Sequence, residues 1–178
     1  MLITVGLDTK ATQTQHFLVP RQRVKDFVGR GPQLESIAES FTAPRSGGPR
    51  VLIVHALGGQ GKSQLVLEYY RISRVKNVYR GIFWISAADK ALATNSFRRI
   101  AVELGIVSAE QAVSDGPSKN VATELGIKST DRATGDYNVI ERVKKNLENW
   151  QERWLLIFDN YDMPTQFSDI QDFFPYGM

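Results

Sequence analysis

The sequence predicts an α/β fold, a mostly parallel sheet covered by helices on both faces. Three observations lead there. Val51-Leu52-Ile53-Val54, Gly81-Ile82-Phe83-Trp84-Ile85 and Trp154-Leu155-Leu156-Ile157-Phe158 are short continuous apolar runs, the pattern of strands buried on both faces. Segments with apolar residues at helical spacing alternate with them, as expected of a parallel sheet with crossover helices. A glycine-rich stretch, Gly58-Gly59-Gln60-Gly61, lies between the first apolar run and the helical pattern after it, where such a chain turns from strand to helix.

Composition narrows the class. The chain has 178 residues, enough for one α/β domain with a sizeable core. A hydrophobic fraction of 42% and a charged fraction of 23% are ordinary for a globular protein and exclude a disordered chain. The net charge is +3, and the basic residues are spread along the chain rather than massed on one segment. Nucleic acid, which needs a concentrated basic face, is therefore not an expected partner. With no cysteine there is neither a disulfide nor a thiolate metal site, which fits a reducing compartment. No segment approaches the ~20 apolar residues of a membrane helix, and the N-terminus lacks the basic flank of a signal peptide. The expectation is a cytoplasmic protein with no membrane partner.

In chain order, residues 1–19 are polar, Thr/Gln-rich and without periodicity, and read as a flexible lead-in. Residues 20–178 read as one domain. Leu34, Ile37, Ala38 and Phe41 recur at helical spacing after the Gly31-Pro32 turn. Residues 43–49, rich in Pro, Gly and Ser, end that helix in a loop. Leu65, Tyr69 and Ile72 put an apolar stripe on the helix after the glycines. Leu92, Phe97, Ile100 and Leu104 mark the next one. Residues 105–135 are rich in Ser, Gly, Asp and Thr and read as a surface insertion, with a short helix near 121–125. Ile140, Val143, Leu147 and Trp150 define a further helical face before the last strand. Trp84, Trp150 and Trp154 fall in strand and helix patterns and belong to the core rather than to a stacking platform. His16 and His55 are too isolated for a metal site; His55 reads as packing or hydrogen bonding at a strand end.

The glycine stretch carries chemistry. Gly61-Lys62-Ser63 completes the P-loop pattern G-x-x-x-x-G-K-[ST], except that Ala56 holds the first glycine position and Gly58 and Gly59 supply flexibility instead. Backbone N–H groups of such a loop converge on an anion, reinforced by the positive end of the following helix. Lys62 would reach the β- and γ-phosphates, and the Ser63 hydroxyl would ligate magnesium. Asp159 closes the last apolar run, the Walker B arrangement, in which a carboxylate at a strand's C-terminal end holds the metal. Asn160 follows it where many hydrolases carry a second acid; an amide cannot act as a general base, so vigorous hydrolysis is not expected. Asp162 reads as a solvated turn residue. GTP is disfavoured, since no N-K-x-D base-reading motif exists.

With both motifs placed, the chain resembles the NB-ARC/NACHT-type STAND ATPases, the switch modules of NOD-like receptors and apoptosis regulators, and is particularly similar to the fungal members. Phe27-Val28-Gly29-Arg30 is similar to the family's adenine-side segment. Ala56-Leu57-Gly58-Gly59-Gln60-Gly61-Lys62-Ser63-Gln64-Leu65 looks like its P-loop. Ile82-Phe83-Trp84-Ile85-Ser86-Ala87 resembles its second-strand block, and Trp154-Leu155-Leu156-Ile157-Phe158-Asp159-Asn160 its Walker B. The resemblance implies a P-loop NTPase fold of three α/β/α layers binding ADP or ATP with Mg2+. It puts Val28 and Arg30 beside the adenine. Gly58, Gly59, Gln60, Gly61, Lys62, Ser63 and Gln64 go on the phosphates, and Ser63 and Asp159 on the metal, Asp159 being the one residue with a catalytic assignment. Gly31 departs from the acidic residue often found after that arginine.

The family's fourth core strand, which follows Walker B and lies between the P-loop and Walker B strands, has no counterpart before Met178. The expectation is therefore a domain cut off after the Walker B strand, with a gap in mid-sheet. Self-association is expected only of full-length relatives, through regions C-terminal to this one. Three functions compete: a nucleotide-holding switch module with at most slow ATPase activity, an actively turning-over P-loop enzyme such as a small-molecule kinase with Lys128 and Arg132 in a lid, and an interaction fragment that binds no nucleotide.

Overall fold

The computed structural model describes residues 1–5, 14–20, 24–42, 50–108 and 130–176. The loop expected over 43–49 and the short helix near 121–125 lie outside them. The chain is mixed α/β, with a five-stranded, mostly parallel sheet. The strands are β1 (Leu2–Val5), β2 (His16–Leu18), β3 (Arg50–Ile53), β4 (Gly81–Ser86) and β5 (Trp154–Asp159), and the helices α1 (Gly31–Thr42), α2 (Lys62–Val75), α3 (Lys90–Glu103) and α4 (Thr130–Glu148). A 3-10 turn, Ile170–Phe173, follows β5.

Strand order is β2-β4-β5-β1-β3. β2, β4 and β5 are parallel neighbours, while β1 runs antiparallel to both β5 and β3. Four strands thus point one way and β1 the other. The reading of residues 1–19 as a lead-in is corrected here. Leu2–Val5 is an inner strand, with Ile3 opposite Leu52 on one side and Ile157 on the other. His16–Leu18 is an edge strand on β4. The expected mid-sheet gap is also absent, because β1 occupies the place between the glycine-loop strand and the strand ending in Asp159 and takes up the backbone groups of both.

Alternation along the strands divides the interior in two. Phe83, Ile85, Trp154, Leu156 and Phe158 point to one face, where Ala93, Phe97, Ile100 and Ala101 of α3 and Val139, Ile140, Val143 and Leu147 of α4 cover them. Ile3, Ile82, Leu155 and Ile157 point to the other, under Ile37 and Phe41 of α1 and Leu65, Val66 and Tyr69 of α2. The helical stripes read from spacing supply most of these contacts, with shifts. Leu92 is exposed and Ala93 packs instead. Ala38 is exposed. Trp150 is buried, but just beyond the end of α4. Asp89 starts α3 as its N-cap, accepting from the Leu92 N–H at 2.7 Å.

The reading of Val51-Leu52-Ile53-Val54 as buried on both faces holds for one face only. β3 is an edge strand, and Val51 and Ile53 are 45% and 66% exposed. A continuous apolar run does not distinguish an inner strand from an edge strand whose outer face is bare.

Inside the sheet, Thr4 is fully buried and its hydroxyl has no hydrogen-bond partner. Thr4→Val should raise stability by about 1 kcal/mol, because the desolvation cost of that hydroxyl falls away. A higher urea midpoint at unchanged m-value is the expected readout; a lower one would contradict it.

Candidate functional site

The C-terminal end of the sheet gathers the motif residues. β3 leads into residues 54–61, and α2 begins at Lys62. Two glycines make the turn: Gly59 and Gly61 have φ of 75° and 76°, a region that strains residues with a side chain. Gly61 is also the N-cap of α2 and offers no side chain to its first turn. Gly61 thus gives the leading amides of the helix no side-chain cap, the condition under which a helix start receives an anion.

Lys62 bends back over the loop. Its Nζ donates to the carbonyl oxygens of Ala56 at 2.9 Å and Leu57 at 3.3 Å. The ammonium thus sits against the loop's own carbonyls. The Ser63 hydroxyl lies 3.0 and 3.1 Å from the two carboxylate oxygens of Asp159. Asp159 ends β5 with its backbone carbonyl held by the Ala87 N–H at 2.7 Å, so its carboxylate is carried on a fixed strand end. β1 separates β3 from β5 at this end, and Met1 contributes there too. Its α-amino group donates to Val54 O at 3.3 Å. Burial draws the pKa of that amine down, against the opposing charges of Asp162 and Asp159.

Ser63 and Asp159 are the pair a magnesium ion would need from the protein. Mg2+ takes one or two protein oxygens and fills its remaining positions with water and phosphate oxygens. A hydroxyl and a carboxylate already in contact fit that requirement. Among the described residues no cluster of three or more His, Asp or Glu forms a metal site independent of a ligand.

Other predicted residues fall around this centre. Arg30 lies against the loop, its Nη2 donating to Gln60 O at 2.7 Å. Gln64 Oε1 accepts the Val24 N–H at 2.9 Å, which ties the segment before α1 to the start of α2. Gly58 is exposed, and Val28 is 86% exposed. Asn160 has a φ of 63°. Asparagine tolerates this left-handed conformation better than most residues, which gives its place after Asp159 a backbone reason besides any catalytic one. Asp162 is exposed, its N–H on the carbonyl of Asn160. His55 is exposed rather than packed. His16 instead contacts Glu103 at 3.2 Å, at the far end of the sheet. Lys128 lies outside the described residues, and Arg132 belongs to α4.

Sequence reasoning missed Met1, Ile3 and Gln64's bond to Val24. The available signal for Ile3 was the four-residue run Leu2-Ile3-Thr4-Val5, mostly apolar and β-branched but shorter than the runs that mark the other inner strands.

Comparison with protein-family models, with curated proteins and with solved structures found no match to this chain. No helix among the described residues is long and apolar enough to cross a membrane.

Proposed function

We propose that this chain binds an adenine nucleoside di- or triphosphate with magnesium, as the nucleotide-holding module of an NB-ARC-type STAND switch. One observation carries the reading: the Ser63 hydroxyl and the Asp159 carboxylate meet at 3.0 Å, beside a glycine loop that opens a helix. Nothing local joins these residues; the sheet brings them together. A structural glycine turn would not need a hydroxyl and an acid in register at its mouth.

In this reading the loop amides and the α2 start cradle the β-phosphate. Lys62 exchanges its carbonyl partners for phosphate oxygens, and Ser63 and Asp159 hold the magnesium. The metal neutralises phosphate charge when bound. Val28 and the chain around it, exposed before α1, face the base. Slow hydrolysis at most is expected, since Asn160 offers no basic group beside Asp159.

Calorimetric titration with Mg-ADP and Mg-ATP tests the proposal. Lys62→Ala removes a charge-assisted contact of about 1.5–3 kcal/mol, so affinity should fall roughly ten- to hundredfold. Saturating Mg-ADP should raise the melting temperature of the parent chain, because a ligand of the folded state stabilises it. Failure of both nucleotides to bind at millimolar concentration, or an unaltered affinity in Lys62→Ala, would end this reading.

A further inference from the structure

Arg30 does something at the loop that adenine recognition does not require. Its Nη2 donates to the carbonyl of Gln60 at 2.7 Å. Both terminal nitrogens lie over Gly61, where a Cβ would stand 3.9 and 4.0 Å from them. Arg30 itself has a φ of 56°. A left-handed backbone is unfavourable for a residue with a side chain and persists where its surroundings hold it. Two bonds help do so: Arg30 O accepts the Leu34 N–H in the first turn of α1 at 3.1 Å, and Val24 is tied to Gln64 at 2.9 Å. The segment before α1 is therefore fastened to the phosphate loop at both of its ends.

The peptide that Arg30 grips is one that can turn over. It joins Gln60 to Gly61, and Gly61, at φ 76°, can rotate into either half of the φ range at little cost. In a trans peptide the C=O and N–H point to opposite sides, and no peptide among the described residues is cis. With its carbonyl held by the guanidinium, this peptide keeps the Gly61 N–H pointing away from Arg30. The flipped peptide would present a carbonyl oxygen to an anionic ligand and repel it. Lys62 cannot hold this orientation, since its partners are the carbonyls of Ala56 and Leu57 and a phosphate would compete for its ammonium. The Arg30–Gln60 bond takes up a carbonyl that a bound anion would not use.

We propose that Arg30 is a positioning residue of the phosphate loop, a brace that locks the Gln60–Gly61 peptide with its N–H toward the bound diphosphate. It thereby sets affinity for phosphate whatever base is attached. The inference rests on the nucleotide reading for its ligand, but not for the brace itself.

Two measurements separate the two. The first is binding of magnesium pyrophosphate, Mg-ADP and adenosine to the parent chain, Arg30→Met and Arg30→Lys. Loss of one charge-assisted bond predicts that Arg30→Met weakens pyrophosphate and Mg-ADP by the same factor, about tenfold or more, and leaves adenosine unchanged. Arg30→Lys, which can still donate to Gln60 O, should recover most of the loss. Weakened Mg-ADP with unchanged pyrophosphate would make Arg30 a base contact and overturn the proposal. The second is the Gly61 amide resonance of the free protein, which should broaden or shift in Arg30→Met and return in Arg30→Lys. If the parent chain binds no phosphate ligand, the nucleotide reading fails, and the Gly61 amide alone decides: a signal that Arg30→Met leaves unmoved overturns the brace.

Discussion

Ile3→Asp is expected to remove most of the stability of this fold, a loss of about 5 kcal/mol or more against a typical total of about 5–15. Ile3 is fully buried at the middle of β1, and its side chain lies in the core shared with α1 and α2. Its neighbours across the sheet are Leu52 and Ile157. The substitution removes the apolar contacts and puts a carboxylate among apolar side chains. The acid would be driven toward its neutral form, its pKa raised by burial. A raised folded pKa means that the stability deficit is smallest below the ordinary aspartate range and grows as pH rises through it. Urea unfolding near pH 4 and at neutral pH reads both effects. The consequence reaches the site, because β1 joins the loop strand to the Asp159 strand. Loss of β1 pairing should release Ser63 from Asp159 and abolish any stabilisation by Mg-ADP. A midpoint close to that of the parent chain would mean that β1 does not hold the centre of the sheet.

What was legible in the sequence, and what was not, follows from the range of the signals. β4 and β5 are long apolar runs bounded by polar residues, and four of the six residues of β4 and five of the six of β5 are buried. Their signal is local, so it survives without knowledge of the neighbours. The same holds for Gly59, Gly61, Lys62 and Ser63, whose spacing is a property of one turn. β1 is different. Its four residues sit beside a polar stretch, and what makes them an inner strand is the pair of free edges on β3 and β5, which no window of sequence contains. The edge position of β3 was hidden for the same reason: Val51 and Ile53 are apolar yet exposed, and only strand order explains it. The motifs assigned Ser63 and Asp159 to one metal; their direct contact is an observation of the structure. The contact of Arg30 with Gln60 was not foreseen, since it depends on the left-handed backbone of a non-glycine residue.

The same dependence on neighbours makes Gly81 the position where the smallest change should cost most. A Cβ there would stand 2.7 and 2.9 Å from Phe83 ring carbons and 2.8 Å from Cζ3 of Trp150. Neither ring can step aside. Phe83 is fully buried, and Trp150 is held by an Nε1 bond to Asn146 at 3.1 Å. The Arg80 guanidinium lies 4.1 Å from the centroid of the Trp150 ring and pairs with the buried Glu152 at 3.1 Å. Moving the indole would therefore disturb a buried ion pair as well as the core, and a buried charge that loses its partner is costly. Gly81→Ala should cost about 3 kcal/mol, the upper end of the overpacking range, which for a chain of this length lowers the melting temperature by roughly 6–12 °C. Gly81 opens β4 at the end of the sheet away from Ser86, the residue paired with Asp159. Nucleotide affinity measured on the folded fraction should accordingly stay within about twofold of the parent value, since distant sites add independently. Phe83→Leu decides whether the rings are the cause. In the Gly81→Ala background it should cost less than it does alone, because it opens the space the methyl needs; equal costs would place the strain elsewhere.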